Sequence, residues 1–220
     1  TLPGCYDGIQ DTAPETREQG KTLVPNDEAL LEEAGLASAA GEKGYTAIEQ
    51  TWCRPSCEIN GISGGYEGEG FKTVLPAKAM AKVSFRLVPG QDPEKIRDSF
   101  RAHVNATLPA DAKVTFTPHG GSPGFEVSRN SRFLAPTLKA LTDEWSVPAA
   151  TIGSGGSIPV AGEVRDELGP DALMVGCAHA DDRTHSPHEH HGLESFHTGI
   201  RSWVHIIVAL ADVGCYHSSD

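Results

Sequence analysis

The sequence is short of positive charge. Its 18 lysines and arginines stand against 30 aspartates and glutamates in 220 residues, which gives a formal net charge of −12. A chain this acidic repels phosphate backbones and anionic headgroups. It also lacks any apolar run near the roughly 20 residues that cross a bilayer. We therefore expect neither a nucleic-acid partner nor a membrane partner.

Cysteine is scarce and odd in number, with five residues spread along the chain. Such a set is a poor disulfide framework and is typical of a reducing compartment, so we expect a cytoplasmic protein. Cys53 and Cys57 are four apart, but no second pair follows, which disfavours a structural zinc site. The sequence begins at Thr1 and not at methionine, which favours a piece of a longer protein.

The first half of the chain shows strand and helix patterns, each with one apolar face. Residues 57–66 and 77–87 read as strands, and in the second of these every other residue is apolar. Asp92 and Pro93 begin a helix whose apolar residues are spaced by four, and residues 113–117 alternate as a further strand. A short helix is predicted over residues 26–33. Strand, helix and strand together predict an α+β sandwich with one covered face.

The pattern changes near residues 122–130, where we place a domain boundary. Helices are predicted from Phe133 to Trp145 and from Ile158 to Leu168, the second with Val160, Val164 and Leu168 facing inward. The short apolar run at 172–176 is typical of a buried parallel strand. This alternation indicates an α/β layer. A last helix is expected to bury one apolar side, made of Leu193, Phe196, Ile200, Trp203, Val204, Ile207 and Leu210.

Histidines are concentrated near the C-terminus. Six of the ten lie between His179 and His197. Neutral imidazole is the commonest metal ligand, and the segment follows a predicted strand at its carboxyl end, where α/β sheets place ligands. The alternative is a solvated loop rich in histidine. Composition alone does not separate the two.

Two further features could bind a carboxylate. Residues 153–159 place glycine and serine directly before a helix, where free backbone N–H groups favour an anion, although glycine there is often only a turn. Arg86 lies on the polar face of its strand and could grip a carboxylate at two points, or it could be an exposed cation.

Five motifs occur in a fixed order. They are Lys72-Thr73-Val74-Leu75-Pro76, Ser84-Phe85-Arg86-Leu87-Val88-Pro89, His119-Gly120-Gly121, Gly155-Gly156-Ser157-Ile158-Pro159 and the run from Asp181 to Glu189. Together these motifs resemble the zinc aminopeptidase-fold family of dipeptidases, which includes carnosinases and cytosolic nonspecific dipeptidases. Acetylornithine deacetylase and succinyl-diaminopimelate desuccinylase are more distant relatives.

The resemblance implies an α/β protein of two parts. An α+β, ferredoxin-like lid, the dimerisation domain, would occupy residues 1–126. Residues 127–220 would be the C-terminal segment of an aminopeptidase-type α/β catalytic domain. It further implies a metallopeptidase with two zinc ions per active site (manganese or cobalt as alternatives), a dipeptide or N-acyl amino acid substrate, and a homodimer formed through the lid.

The resemblance also assigns roles to individual residues. His185 falls on the family's last metal-ligand histidine. Thr73, Arg86 and His119 fall on lid positions that grip the substrate, and Gly156 with Ser157 falls on the loop that holds its carboxylate end.

The family's other metal ligands and its general base have no counterpart here. An early His-x-Asp, a Glu-Glu pair and one further acidic ligand should all precede the lid, so no catalytic residue is assigned and the chain alone is expected to be inactive. Two alternatives stay open. One is an N-acyl amino acid deacylase of the same family, and the other is a non-catalytic metal-binding or dimerisation module.

Overall fold

The computed structural model describes residues 2–24, 27–155, 158–168 and 172–215, which form two compact units. Unit 1 comprises Thr1–Phe125 and Ile152–Pro159, and unit 2 comprises Glu126–Thr151 and Val160–Asp220. The elements in chain order are α1 (Pro14–Leu23), α2 (Glu28–Glu33), α3 (Ala47–Cys53), β1 (Ser56–Gly64), β2 (Ala79–Arg86), α4 (Pro93–Thr107), α5 (Leu134–Trp145), α6 (Pro159–Leu168), a short 3-10 turn (Ala180–Asp182) and α7 (Leu193–Cys215).

An arginine cluster orders the N-terminal part of unit 1. The guanidinium of Arg54 donates to both carboxylate oxygens of Glu42, at 2.7 and 2.8 Å. It also lies 4.5 Å from the ring centroid of Tyr45 and 5.1 Å from that of Tyr6. A planar, delocalised cation suits this combination of a forked ion pair with aromatic faces. The cluster connects the segments around Tyr6, Glu42 and Arg54, and the sequence pattern predicted no contact between them.

Two of the N-terminal helices were not predicted. Helix α1 begins at Pro14 and is strongly polar, so it has little apolar periodicity to reveal it. Helix α3 begins with a capping box in which the Thr46 side chain accepts from the Glu49 backbone and the Glu49 carboxylate accepts from Thr46 N. That Thr-x-x-Glu spacing was a readable signal. The predicted helix over 26–33 is present as α2, with Asn26 outside the described residues.

Strands β1 and β2 form an antiparallel sheet of two strands. Ser56 pairs with Arg86 and Cys57 with Phe85, with an irregularity in register between Ile59 and Gly61. Both strands were predicted to within three residues at each end. Only the carboxyl-terminal half of the predicted apolar face of β2 is covered, because Val83 and Phe85 are half-buried while the alanines before them are exposed.

Helix α4 packs its predicted stripe inward. Ile96 is buried, and the ring of Phe100 makes edge contacts with Phe85 on β2 at 5.5 Å and with Phe116 at 6.2 Å. Residues 113–117, although described, do not form a strand, so that prediction was wrong. The alternation there reflects burial of Phe116 against Phe100 and not pairing in a ladder.

The N-terminus of α4 offers a stability test. The Asp92 side chain accepts from Glu94 N at 2.9 Å, which satisfies one of the helix's free donors. We expect Asp92→Ala to lower the free energy of unfolding by about 1 kcal/mol. Urea unfolding measures the change, and Lys95→Ala, an exposed position in the same helical turn, is the matched control. Equal effects of the two substitutions would show that the cap does not stabilise α4.

In unit 2, α5 and α7 pack through small residues. Trp145 Nε1 donates to Ser202 Oγ at 2.8 Å, and Ser202, fully buried, donates to the Thr198 carbonyl at 2.9 Å. Ile206 on the same side is only 2 % exposed. The predicted apolar side of α7 lies mostly exposed, so that prediction was wrong for this chain. The buried side of α7 is instead formed by Ser195, Thr198, Ser202 and Ile206.

Two other predictions for unit 2 differ from the structure. Helix α6 is present, but Val160, expected to point inward, is 57 % exposed. Residues 172–176 are described and form no strand, because no neighbouring strand pairs with them in the described part of the chain. Across the described residues, every helix is too short or too polar to cross a membrane.

Candidate active site

Arg86 lies at the end of β2 and reaches the glycine loop. Its Nη1 donates to the carbonyl of Gly155 at 2.9 Å, across 69 residues of sequence. Both residues belong to unit 1. The structure therefore brings together two of the features that sequence analysis singled out for carboxylate binding. Gly156 and Ser157, the other predicted residues of this loop, lie outside the described residues.

The glycine loop rests on the end of α3. A Cβ added at Gly153 would lie 2.5 Å from the Cβ of Trp52 and 2.9 Å from its Cα, which no side chain can tolerate. A Cβ at Gly155 would lie 3.3 Å from the carbonyl oxygen of Thr51. Glycine is thus needed at residue 153 for the close approach of the two backbones.

Thr73 and His119 occupy irregular segments of unit 1. Thr73 is exposed in the segment that joins β1 to β2. His119 is exposed beyond α4, and its backbone carbonyl accepts from Arg97 Nη2 at 3.0 Å. This hydrogen bond holds the backbone at His119, while the side-chain roles of both residues remain predictions.

His185, the predicted metal ligand, lies in unit 2 in the loop that follows the 3-10 turn. Its side chain is exposed and its backbone has φ +62°. The neighbouring Asp182 is 3 % exposed. Its Oδ2 accepts from His179 N at 3.0 Å and lies 2.9 Å from His191 Nδ1. Because a carboxylate only accepts, the His191 ring must carry a proton on Nδ1.

The charge of Asp182 is stabilised by these contacts. The hydrogen bond from the His179 backbone and that from the His191 side chain lower the pKa of the Asp182 carboxyl. A carboxyl whose pKa is lower in the folded state stabilises the fold above its unfolded pKa. The stabilisation from the ionised Asp182 carboxylate is lost as the pH falls through its lowered pKa. It is therefore fully present at neutral pH.

The described residues do not assemble a metal site on their own. In the described parts of the chain, no three His, Cys, Asp or Glu side chains come together in a group that could hold a metal ion. His185 supplies one imidazole, and zinc sites in proteins use three or four ligands. Cys5, Cys53, Cys57 and Cys177 form no disulfide, and burial raises the pKa of the Cys5 thiol, which disfavours a thiolate nucleophile there.

Comparison with known proteins shows what these elements are similar to. Residues 14–112 match the model of the M20 peptidase dimerisation domain. Cys-Gly metallodipeptidase DUG1 of Saccharomyces cerevisiae is 30 % identical over 204 residues, which cover 89 % of this chain and 42 % of that protein. Beta-Ala-His dipeptidase of Rattus norvegicus is 28 % identical over 195 residues, covering 86 % and 39 %.

Solved structures agree in fold. The M20 family metallo-carboxypeptidase Sso-CP2 from Sulfolobus solfataricus superposes with a TM-score of 0.78 at 25 % identity, over 93 % of this chain and 47 % of that one. The mixed helix and sheet fold predicted from sequence is thereby confirmed. The chain is similar to these peptidases over most of its own length, and residues 14–112 match a peptidase dimerisation domain. It spans less than half the length of these relatives.

Sequence analysis assigned no supporting role to three residues that contact the candidate site. Trp52 lies under the glycine loop, and Asp182 and His191 pair beside the loop of His185. No local pattern marks Trp52, because its partner is a hundred residues away. Asp182 stood in the quoted motif as one of two adjacent acids, and only its burial distinguishes it from Asp181.

Proposed function

We propose that this chain forms the lid and the C-terminal catalytic segment of a metallodipeptidase, which hydrolyses the peptide bond of dipeptides in a protein of its relatives' length. Residues 1–126 would be the lid and residues 127–220 the catalytic segment. The observation that carries the proposal is the hydrogen bond from Arg86 to Gly155. It places a guanidinium beside a glycine loop, and the relatives named dipeptidases support the reaction class.

The proposed roles of the lid residues are substrate binding and orientation. Arg86 would hold the free carboxylate of the substrate, because its planar fork matches a carboxylate at two points. Gly156 and Ser157 would bind the same end through the loop that Arg86 fastens. Thr73 and His119 would contact the rest of the substrate and orient it for reaction. None of these is assigned proton transfer.

His185 is proposed as one ligand of a pair of zinc ions, with manganese or cobalt as alternative metals. The described residues supply no complete metal site, so the other ligands and the general base would come from elsewhere in the longer protein. The support is the position of His185 within the matched motif and the metallopeptidase names of the relatives.

The longer protein is further proposed to be a cytoplasmic homodimer, joined through the lid. The match of residues 14–112 to a dimerisation domain supports the dimer. Free cysteines are consistent with a reducing compartment. The net charge of −12 disfavours nucleic acid as a partner.

The first test uses the 220-residue chain itself. We expect it to hydrolyse Ala-Ala or Cys-Gly no faster than a control containing zinc or manganese without protein, because its described residues hold no three-ligand site. Amino acid release is followed by chromatography. Steady hydrolysis above the metal control would contradict the proposed division of the active site.

A substrate panel on a full-length version separates the remaining alternatives. Dipeptides cleaved in preference to N-acetyl and N-succinyl amino acids would support the dipeptidase. The reverse preference would identify a deacylase. Zinc binding by this chain in calorimetry, without hydrolysis by the full-length version, would favour a non-catalytic metal-binding module.

A further inference from the structure

One buried residue closes the base of the His185 loop, which we define as residues 183–190. Asp182 accepts three hydrogen bonds at this point. Its Oδ2 accepts from His179 N at 3.0 Å and from His191 Nδ1 at 2.9 Å. Its carbonyl oxygen accepts from His190 N at 3.0 Å. The chain entering the loop and the chain leaving it are therefore fastened to the same residue.

The loop itself has a strained backbone. Arg183, His185 and His188 have φ values of +55°, +62° and +64° and none of them is glycine. Such residues cost free energy and keep this conformation only where the surroundings impose it. All eight side chains of the loop are exposed, so burial does not hold it in place. Its shape must depend on its hydrogen bonds.

Two of those bonds join backbone groups within the loop and are ordinary turns. Ser186 N donates to the Arg183 carbonyl at 2.9 Å, and Glu189 N donates to the Ser186 carbonyl at 3.2 Å. The bonds at the base differ because two of them reach an ionised carboxylate shielded from water. Charge-assisted hydrogen bonds are about twice as strong as neutral ones. The strongest restraint on the loop is therefore at Asp182.

We propose that Asp182 and His191 form a lock that fixes the conformation of the 183–190 loop and so positions His185. The two are positioning residues, since they act on His185 through the backbone and neither touches substrate. The importance of the lock for activity rests on the proposed function, in which His185 is a metal ligand. The existence of the lock does not.

Amide hydrogen exchange in the 220-residue chain tests the lock directly. The readout is the Glu189 amide, which donates inside the loop. We expect His191→Ala to accelerate its exchange by at least about tenfold, because loss of the donor to Asp182 frees the loop to open. His191→Asn should restore most of the protection, because its side-chain amide can donate from near the position of Nδ1. His190→Ala, which leaves the backbone donor to Asp182 intact, should exchange like wild type.

Zinc retention by a full-length version tests what the lock is for. We expect His191→Ala to release zinc at least about tenfold more readily during dialysis against a chelator, with rescue by His191→Asn. If the melting temperature of His191→Ala falls in proportion to its loss of zinc, the Asp182–His191 pair only supports the fold. Unchanged exchange at Glu189 in His191→Ala would overturn the lock, whatever His185 binds. Faster exchange with unchanged zinc retention would keep the lock and count against the proposed role of His185.

Discussion

Replacement of His185 by alanine is expected to abolish dipeptide hydrolysis in a full-length version of the protein. The residue is the proposed metal ligand, and neutral imidazole is hard to replace in that role. Even the outer partners of a metal ligand are worth about 10- to 100-fold in affinity or activity, so loss of the ligand itself should exceed about 100-fold.

Two matched variants make the His185 experiment specific. His185→Asn removes the imidazole but suits the left-handed backbone at φ +62°, so it separates loss of the ligand from loss of the loop. It should be as inactive as His185→Ala. His190→Ala removes an exposed ring whose Nδ1 lies 3.2 Å from the His188 carbonyl, and it should be nearly silent. Kinetics with a dipeptide measure all three. Equal losses at 185 and 190 would show that the ligand is placed wrongly within the histidine-rich segment.

The second large effect is expected at Arg86. Loss of a hydrogen bond to a charged group costs about 1.5–3 kcal/mol, so Arg86→Ala should raise the free-energy barrier measured by kcat/KM by that amount. Arg86→Lys keeps the charge but loses the planar fork that both binds a carboxylate and donates to Gly155. We expect it to lose at least about tenfold in kcat/KM, equivalent to about 1.4 kcal/mol.

The control for Arg86 is Lys82, which lies four residues earlier in β2 and on the same face of the strand. Lys82→Ala should change kcat/KM little. Thermal melts are measured beside the kinetics, and the melting temperature of Arg86→Lys should equal that of wild type. Unchanged kinetics would reduce Arg86 to an exposed surface cation. A lowered melting temperature would show instead that it supports the lid.

The elements that sequence reasoning located are those with local signals. Strand β2 has a clean period of two, and α4 has Asp92, Pro93 and an apolar stripe in register. Helix α1 has no such stripe, and α3 was missed although its capping box could be read. Residues 113–117 alternate like a strand, but a strand needs a partner, and partners are set by tertiary structure.

Packing faces were predicted less well than element types. The large apolar residues of α7 marked the wrong side, because the side facing α5 carries Ser202, whose hydroxyl accepts from Trp145 Nε1 and donates to the Thr198 carbonyl. Composition ranks such residues as polar and therefore as surface. How two helices pack depends on the surfaces of both helices. The apolar periodicity of one helix does not describe the other surface.

The candidate site was located in part. Arg86 and the glycine loop were each singled out for carboxylate chemistry, yet their contact spans 69 residues and could not be read from either segment. The resemblance to dipeptidases linked them before the structure did. The roles of Thr73, His119, Ser157 and His185 stay predictions. The motif that contains His185 did not indicate that the nearby Asp182 is buried.

The division of the chain into units has a consequence for chimeric proteins. Unit 1 consists of two stretches of the chain, Thr1–Phe125 and Ile152–Pro159. The glycine loop that contains Gly153 and Gly155 is therefore distant in sequence from the end of α3, on which it rests. A crossover anywhere in residues 126–151 would join Trp52 and Arg86 from one parent to a glycine loop from another. A chimera of two homologues should therefore take residues 1–125 and residues 152–159 from the same parent.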